Sequence, residues 1–214
     1  MRRFVLLARQ AVASDDFLLD DVPGTSGRLD VGLRCLRAAL LVSHGLRRDA
    51  IAYLVLGGGP RAPRVLRVSG AEAKFLRPDE RSLAVLARKV LASRVDGGGR
   101  EFLDVKPGVA VASGGLDVVL ADLPGATPYV LDESGPDVRD APGLDAGDTA
   151  FFLGDPGGFD DAARVRLASL GARPVRVGPV SLHAEDVVVL LNNEIDRRAG
   201  GIEERGRLPP ALLE

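Results

Sequence analysis

The chain has 214 residues, of which 46% are hydrophobic, enough for one compact α/β domain with a sizeable core. A formal net charge of −2 excludes bulk electrostatic attraction as the basis of nucleic-acid binding, so any such contact has to come from local clustering. Cys35 is the only cysteine and His44 and His183 the only histidines, which excludes an internal disulfide and a cysteine-based metal cluster. No apolar run approaches a membrane span, and Met1-Arg2-Arg3 before Phe4 to Ala8 lacks a full signal-peptide core, so no membrane and a cytoplasmic location are expected.

In chain order, Phe4 to Leu7 read as an opening strand and Ser14 to Gly27, acidic and glycine-bearing, as a long loop. After Gly27, Leu29, Leu33, Leu36 and Leu40 fall at helical spacing, with Arg28, Arg34 and Arg37 on the less buried faces. The helix is expected to stop near His44-Gly45, where the histidine reads as a C-terminal cap. Ala50 to Leu56 form a buried strand, Gly57-Gly58-Gly59-Pro60 a turn, and Arg64 to Val68 a second strand. Asp79 reads as the cap of a helix with Leu83, Leu86, Ala87 and Val90 as its apolar stripe, ending before Gly97-Gly98-Gly99.

Val105 to Ala112 read as a strand, and Gly114 to Leu123 as either a short helix or a strand. Thr127 to Leu131 and Thr149 to Leu153 are short apolar strands separated by a turn-rich loop. Phe159 to Leu170 read as a helix, and Gly201 to Glu214 lack periodicity and read as a tail. Strands alternating with helices imply a mainly parallel sheet covered on both faces, with ligands outside the carboxyl ends of the strands. Leu131, Gly154 and Gly178 mark three such ends.

The densest signal is Pro174 to Asp196. Val175 to Val177 read as a strand, Gly178-Pro179 breaks it, and Ser181 is a candidate cap for a helix over Leu182 to Arg198. Gly178 lets the backbone approach a ligand, and free N–H groups in the turn suit acceptors such as adenine ring nitrogens. Ala184, Val187, Val188, Leu191 and Ile195 make one apolar stripe. Positive charge is almost all arginine, lysine being limited to Lys74, Lys89 and Lys106. Arg28, Arg34, Arg47 and Arg48 bracket one helix and suit bidentate phosphate contacts; each read alone is equally a solvated helix-end residue, with Asp30 and Asp49 as its ion-pair partner. Gly154-Asp155-Pro156-Gly157-Gly158 has neither a dinucleotide fingerprint nor a P-loop pattern.

The segment VGPVSLHAEDVVVLL resembles the C-terminal knot of the SPOUT methyltransferases, in which a strand, a glycine turn and a last helix cradle S-adenosylmethionine. VPGTSGRLDVGLRC, VSHGLRRDAIAYLVL and Arg77-Pro78-Asp79-Glu80-Arg81-Ser82 together resemble the archaeal-type tRNA (pseudouridine-54-N1)-methyltransferases, a likeness covering about residues 1 to 198. The resemblance implies an α/β SPOUT fold, mainly parallel, with a C-terminal trefoil knot over residues 1–199 as a single domain and 200–214 as a tail. It implies a homodimer, S-adenosylmethionine as cofactor, no metal, and tRNA as partner through Arg28, Arg34, Arg47 and Arg48. By matched position it implies cofactor contacts at Leu131, Gly154, Val177, Gly178, Pro179, Val180, Ser181, Leu182 and Val187.

The implied reaction is methyl transfer to N1 of pseudouridine 54 in the T-loop, with Asp30 and Asp155 as candidate acceptors of the N1 proton. Methylation of a ribosomal pseudouridine and a catalytically silent cofactor- and RNA-binding protein are the alternatives. Two departures stand out. Glu185, Asp186 and Val187 occupy the places of the family's Asn-His-Cys in the knot helix, and Val111 to Gly115 lack the basic residues expected near RNA.

Overall fold

The computed structural model describes residues 1–95, 101–144 and 146–200, so the turn expected at Gly97 to Gly99 and the tail from Gly201 lie outside the described residues. In chain order the elements are β1 (Arg2–Val12), the single turn α1 (Val22–Thr25), α2 (Leu29–Leu40), β2 (Leu41–Val42), β3 (Gly45–Leu46), β4 (Ala50–Gly58), β5 (Arg64–Ser69) and α3 (Glu80–Leu91). They continue with β6 (Leu103–Lys106), β7 (Val109–Ser113), α4 (Leu116–Ala121), β8 (Thr127–Leu131), β9 (Thr149–Gly154), α5 (Asp161–Ser169), β10 (Arg173–Val175) and α6 (Ala184–Ala199).

Eight strands form one sheet in the order β10-β8-β9-β1-β4-β5-β7-β6. The first five are mutually parallel, and β5, β7 and β6 extend the sheet in antiparallel fashion. The central strands are apolar at successive positions because both of their faces are covered. Along β1, Phe4, Leu6 and Ala8 enter the larger core under α2, α3 and α6, while Val5 and Leu7 enter the smaller core under α4 and α5. Tyr129, Phe151 and Phe4, in register on β8, β9 and β1, stack with ring centroids 5.4 and 5.5 Å apart.

Several expectations are corrected. Val105 to Ala112 is a hairpin, since Pro107 cannot donate a ladder hydrogen bond and Gly108 takes a φ of +69° at the turn. Leu116 to Ala121 within the ambiguous stretch is helix α4. Helix α2 ends at Leu40 because Leu41 is extended, starting the small β2-β3 hairpin; His44 lies in its turn and is no helix cap. Ser181 does not cap α6: residues 176–183 run out from the sheet, His183 holds the cap position, and the Ser181 hydroxyl is donated to the Glu133 carboxylate. Asp79 does cap α3, accepting from Ser82 N at 2.8 Å.

Helices α2 and α6 lie side by side and run the same way: Arg34 meets Glu185 near their starts, and Asn192 Nδ2 donates to Ala38 O at 3.0 Å farther along. At the far end, Arg2 is 5% exposed and donates to Asp49 (2.7 Å), Asp196 (2.8 Å) and Asn192 Oδ1 (3.0 Å). Arg47 adds a two-pronged pair to Asp196 at 2.7 and 2.9 Å. Arg198 donates to the carbonyls of Val138, Arg139 and Ala141, which clasps the 132–148 loop to the end of α6.

Breaking a buried charge pair strands its partner without water. Asp196→Ala is therefore expected to lower stability by about 3 kcal/mol in urea unfolding, whereas Arg197→Ala, which removes no such pair, should change it by less than about 0.5 kcal/mol.

Candidate cofactor and RNA-binding site

Parallel pairing brings the carboxyl ends of β10, β8, β9 and β1 to one edge, with Val175 opposite Leu131, Val130 opposite Phe152, and Leu7 opposite Gly154. This is the edge at which an open α/β sheet receives ligands. Two loops form a rim there, joined by Asp132 N donating to Val175 O at 3.0 Å and by the Ser181–Glu133 hydrogen bond.

Among the described residues nothing accepts from the amides of Val177, Gly178, Val180, Ser181 and Leu182. A Cβ at Gly178 would meet no atom within 4 Å. Val180 is 66% and Leu182 39% exposed, and Leu131, Val177 and Val187 are half-buried against the larger core. Uncommitted backbone donors, open space at a glycine and an apolar margin together fit a nucleoside-bearing cofactor. A surface depression lined by Asp15, Val85, Arg88, Lys89 and Ala92 lies elsewhere and shares no residue with this rim.

Gly154 answers to a different need. A Cβ there would stand 2.7 to 2.8 Å from the Gly158 backbone, so the glycine permits the tight turn itself. Asp155 is built into the same turn: its carboxylate accepts from Gly157 N (2.9 Å), Arg9 N (3.0 Å) and Arg9 Nη2 (3.1 Å). It holds the turn.

The four arginines do not form one surface. Arg47 is turned onto Asp196, and Arg48 Nη1 donates to Gly70 O (3.0 Å), Ala71 O (3.3 Å) and Ala73 O (3.5 Å), so both brace the chain. Asp49 pairs with Arg2 instead of with either of them. Arg28 and Arg34 converge on Asp30, which is 2% exposed. Arg34 also reaches Glu185 at 2.6 Å and Glu80 at 3.8 Å, a junction of α2, α3 and α6. Glu185, one of the family departures, is thus a partner for a half-buried cation, a role that 151 residues of separation hide from sequence reading.

Burial would raise the Asp30 pKa, but the hydrogen bonds and charges of Arg28 and Arg34 outweigh it and hold the carboxyl below its ordinary value. A depressed pKa makes a weak proton acceptor. Asp30 anchors the two arginines, the ion-pair reading of this residue. Arg28 itself has a left-handed φ of +68°, uncommon for a branched-out side chain and often retained at functional positions, and its side chain is 53% exposed. Among the described residues no group of three His, Cys, Asp or Glu side chains is placed to hold a metal ion, and no helix is long and apolar enough to cross a membrane.

The Asp30 ion pairs have a pH signature. Because the folded pKa is depressed, the stabilisation is complete above the unfolded value of about 3.9 and is lost as pH falls through the folded value. Asp30→Asn should therefore be less stable than the parent in urea at neutral pH, with the gap closing below about pH 4. A gap independent of pH would show that the ion pairs do not carry the stabilisation.

A family profile described as "Putative SAM-dependent RNA methyltransferase" matches residues 1–199. The chain is 39% identical over 211 residues to the tRNA (pseudouridine(54)-N(1))-methyltransferase of Methanosarcina acetivorans, spanning 98% of this chain and 96% of that protein. It is 36% identical over 196 residues to the enzyme of the same name from Halobacterium salinarum, spanning 92% and 96%. Among solved structures, Archaeoglobus fulgidus Nep1 bound to S-adenosylhomocysteine superposes with a TM-score of 0.61 over 92% of this chain and 99% of that one, at 19% identity, a likeness of fold. A profile covering the chain to residue 199, and relatives well above 30% identity along nearly its whole length, show that this chain belongs to the archaeal tRNA (pseudouridine(54)-N(1))-methyltransferase family of SPOUT fold.

Proposed function

We propose that the protein transfers a methyl group from S-adenosylmethionine to N1 of pseudouridine 54 in the T-loop of tRNA. The observation that carries this reading is near-full-length similarity, 33 to 39% identity, to eight archaeal proteins of that one activity. The strand-end rim supports it with the donors and open space a nucleoside cofactor requires. No observation favours a ribosomal substrate or a silent protein over this reading.

The residues that would hold the cofactor are Leu131, Val177 to Leu182 and Val187, with Gly154 contributing through the tight turn it permits at the same sheet edge. The bound sulfonium supplies an already activated methyl group, so the chain's task is alignment and charge management. The amides of Val177, Gly178, Val180, Ser181 and Leu182 orient the nucleoside end, and the turn tied by Asp155 shapes the neighbouring wall. Arg28 and Arg34, kept charged and in place by Asp30, supply positive charge on the adjoining face. A cation beside the target base favours loss of its N1 proton, for which Asp155 and Asp30 are the candidate acceptors, Asp30 the weaker for its depressed pKa. Arg28 Nη1 is uncommitted among the described residues and is the phosphate or base contact this reading favours.

The C-terminal threading of the family fold, residues 1–199 as one methyltransferase domain and 200–214 as a tail are part of the same reading, supported by the profile match and by the clasp of Arg198 on the 138–141 carbonyls. So is a homodimer. Val189 and Leu190 on α6 are 51% and 37% exposed, and Val180 and Leu182 on the segment leading into α6 are exposed too, apolar surface that a second copy would cover; a monomer in sedimentation at working concentrations would rule that out. The substrate places its action where tRNA is processed, in the cytoplasm.

Gly178→Val adds a branched side chain where the fold has room, so the melting temperature should hold while cofactor affinity in calorimetry drops by about 5- to 100-fold. Unchanged affinity would move the pocket away from Gly178. Substrate choice follows from bonding: N1 of uridine is attached to the sugar and has no proton to lose, whereas N1 of pseudouridine carries an N–H. With labelled cofactor, only the pseudouridylated T-loop transcript should be labelled. Equal labelling of the unmodified transcript would place the methyl on another atom.

A further inference from the structure

Phe75 is 94% exposed, the most exposed large apolar side chain in the described chain, and it holds a left-handed φ of +57°. For a bulky residue that conformation is a genuine outlier, kept only where the surroundings impose it. The surroundings do impose it. On one side Ala73 is 1% exposed, its amide bonded to Ser69 O at 2.9 Å, and Arg48 grips the carbonyls of Gly70, Ala71 and Ala73. On the other side Asp79 fixes the start of α3. The ring is therefore presented to solvent from a segment anchored at both ends.

The neighbours of Phe75 are not those of a protein interface. Ala71, Glu72, Lys74, Arg77 and Pro78 are all exposed and Leu76 is half-buried, so the sequence neighbours of the ring are mostly small or polar. Lys74 and Arg77 make no ion pair among the described residues. An exposed aromatic face flanked by two exposed cations matches the chemistry of an unpaired base and its phosphates. The position also suits the reaction: Phe75 lies five residues before Glu80, at most about 18 Å of chain, and Glu80 faces Arg34 at the junction with α6. The acidic groups nearby are Glu72, Asp79, which is committed to the cap, and Glu80, which faces Arg34.

We propose that Phe75 is a stacking platform for an unpaired base of the substrate RNA, with Lys74 and Arg77 on its flanking phosphates, and that it holds the loop so that the target nucleotide reaches the strand-end rim. The inference rests on the tRNA reading. Arg48 then acts on RNA only through the loop it braces.

The test uses the full-length protein and a T-loop stem-loop RNA containing pseudouridine. Phe75→Ala should raise the Kd for this RNA by about 5- to 100-fold, Phe75→Trp should retain affinity, and Phe75→Leu should behave like Ala because it is apolar but cannot stack. Affinity for S-adenosylmethionine should not change in any of the three. Replacing loop nucleotides one at a time by abasic sites should reveal one position at which the Phe75→Ala penalty disappears. If the parent protein methylates the RNA and Phe75→Ala binds it equally well, the platform is refuted while the activity stands; if the parent methylates no such RNA, the activity itself is refuted. A Phe75→Ala protein that loses RNA only because it falls apart from dimer to monomer in sedimentation would assign the ring to a protein interface and overturn the proposal.

Discussion

The side-by-side packing of α2 on α6 is the constraint on which the candidate site depends. These helices are far apart in sequence, and the 177–182 rim is simply the chain that leads from β10 into α6. Where α6 begins therefore decides where the rim's free amides are. Charge fixes that placement at both ends: Arg34 joins Asp30 to Glu185 at the start, and Arg2 and Arg47 close on Asp196 near the finish. Between them Asn192 donates to Ala38 O, so a buried polar group is satisfied and the sliding of one helix along the other is resisted.

Much of the arginine that looks like an RNA surface is consumed inside the protein. Arg2, Arg34, Arg47, Arg48 and Arg198 each hold carboxylates or carbonyls of other elements, and the geometry of the guanidinium fork suits several partners at once. With the net charge near neutral, the cations assigned to a nucleic acid are local: Arg28 at the mouth of α2, and Lys74 and Arg77 around an outward ring. Such a surface positions a folded RNA by a handful of contacts in place of a broad positive field.

The glycines of the strand-end edge divide in the same way between structure and ligand. Gly154 has no room for a side chain because the chain turns back on Gly158, whereas Gly178 faces open space. Both are glycines after strands, and only the surroundings separate them. The turn at Gly154 is internal architecture held by Asp155 and Arg9, and the freedom at Gly178 is available to a bound molecule.

The sequence by itself determined the elements whose signals are local. The leucine stripe of α2, the Asp79 cap of α3, the strands at Ala50 and Arg64 and the convergence of Leu131 and Gly154 at one sheet edge all follow from periodicity, capping and parallel strand order, which act between near neighbours or repeat along the chain. The ordered motifs from Val22 to Ser82 carried the family. Tertiary structure alone decided which charges are spent. Asp30 reads equally as a proton acceptor and as an ion-pair partner until Arg28 and Arg34 close over it, Glu185 looks like a lost family residue until Arg34 arrives from 151 positions away, and the exposure of Phe75 shows only in its anchored loop. Local pattern sets which residues form an element, but burial and ion pairing depend on what is folded against it, and that is settled only when distant segments meet.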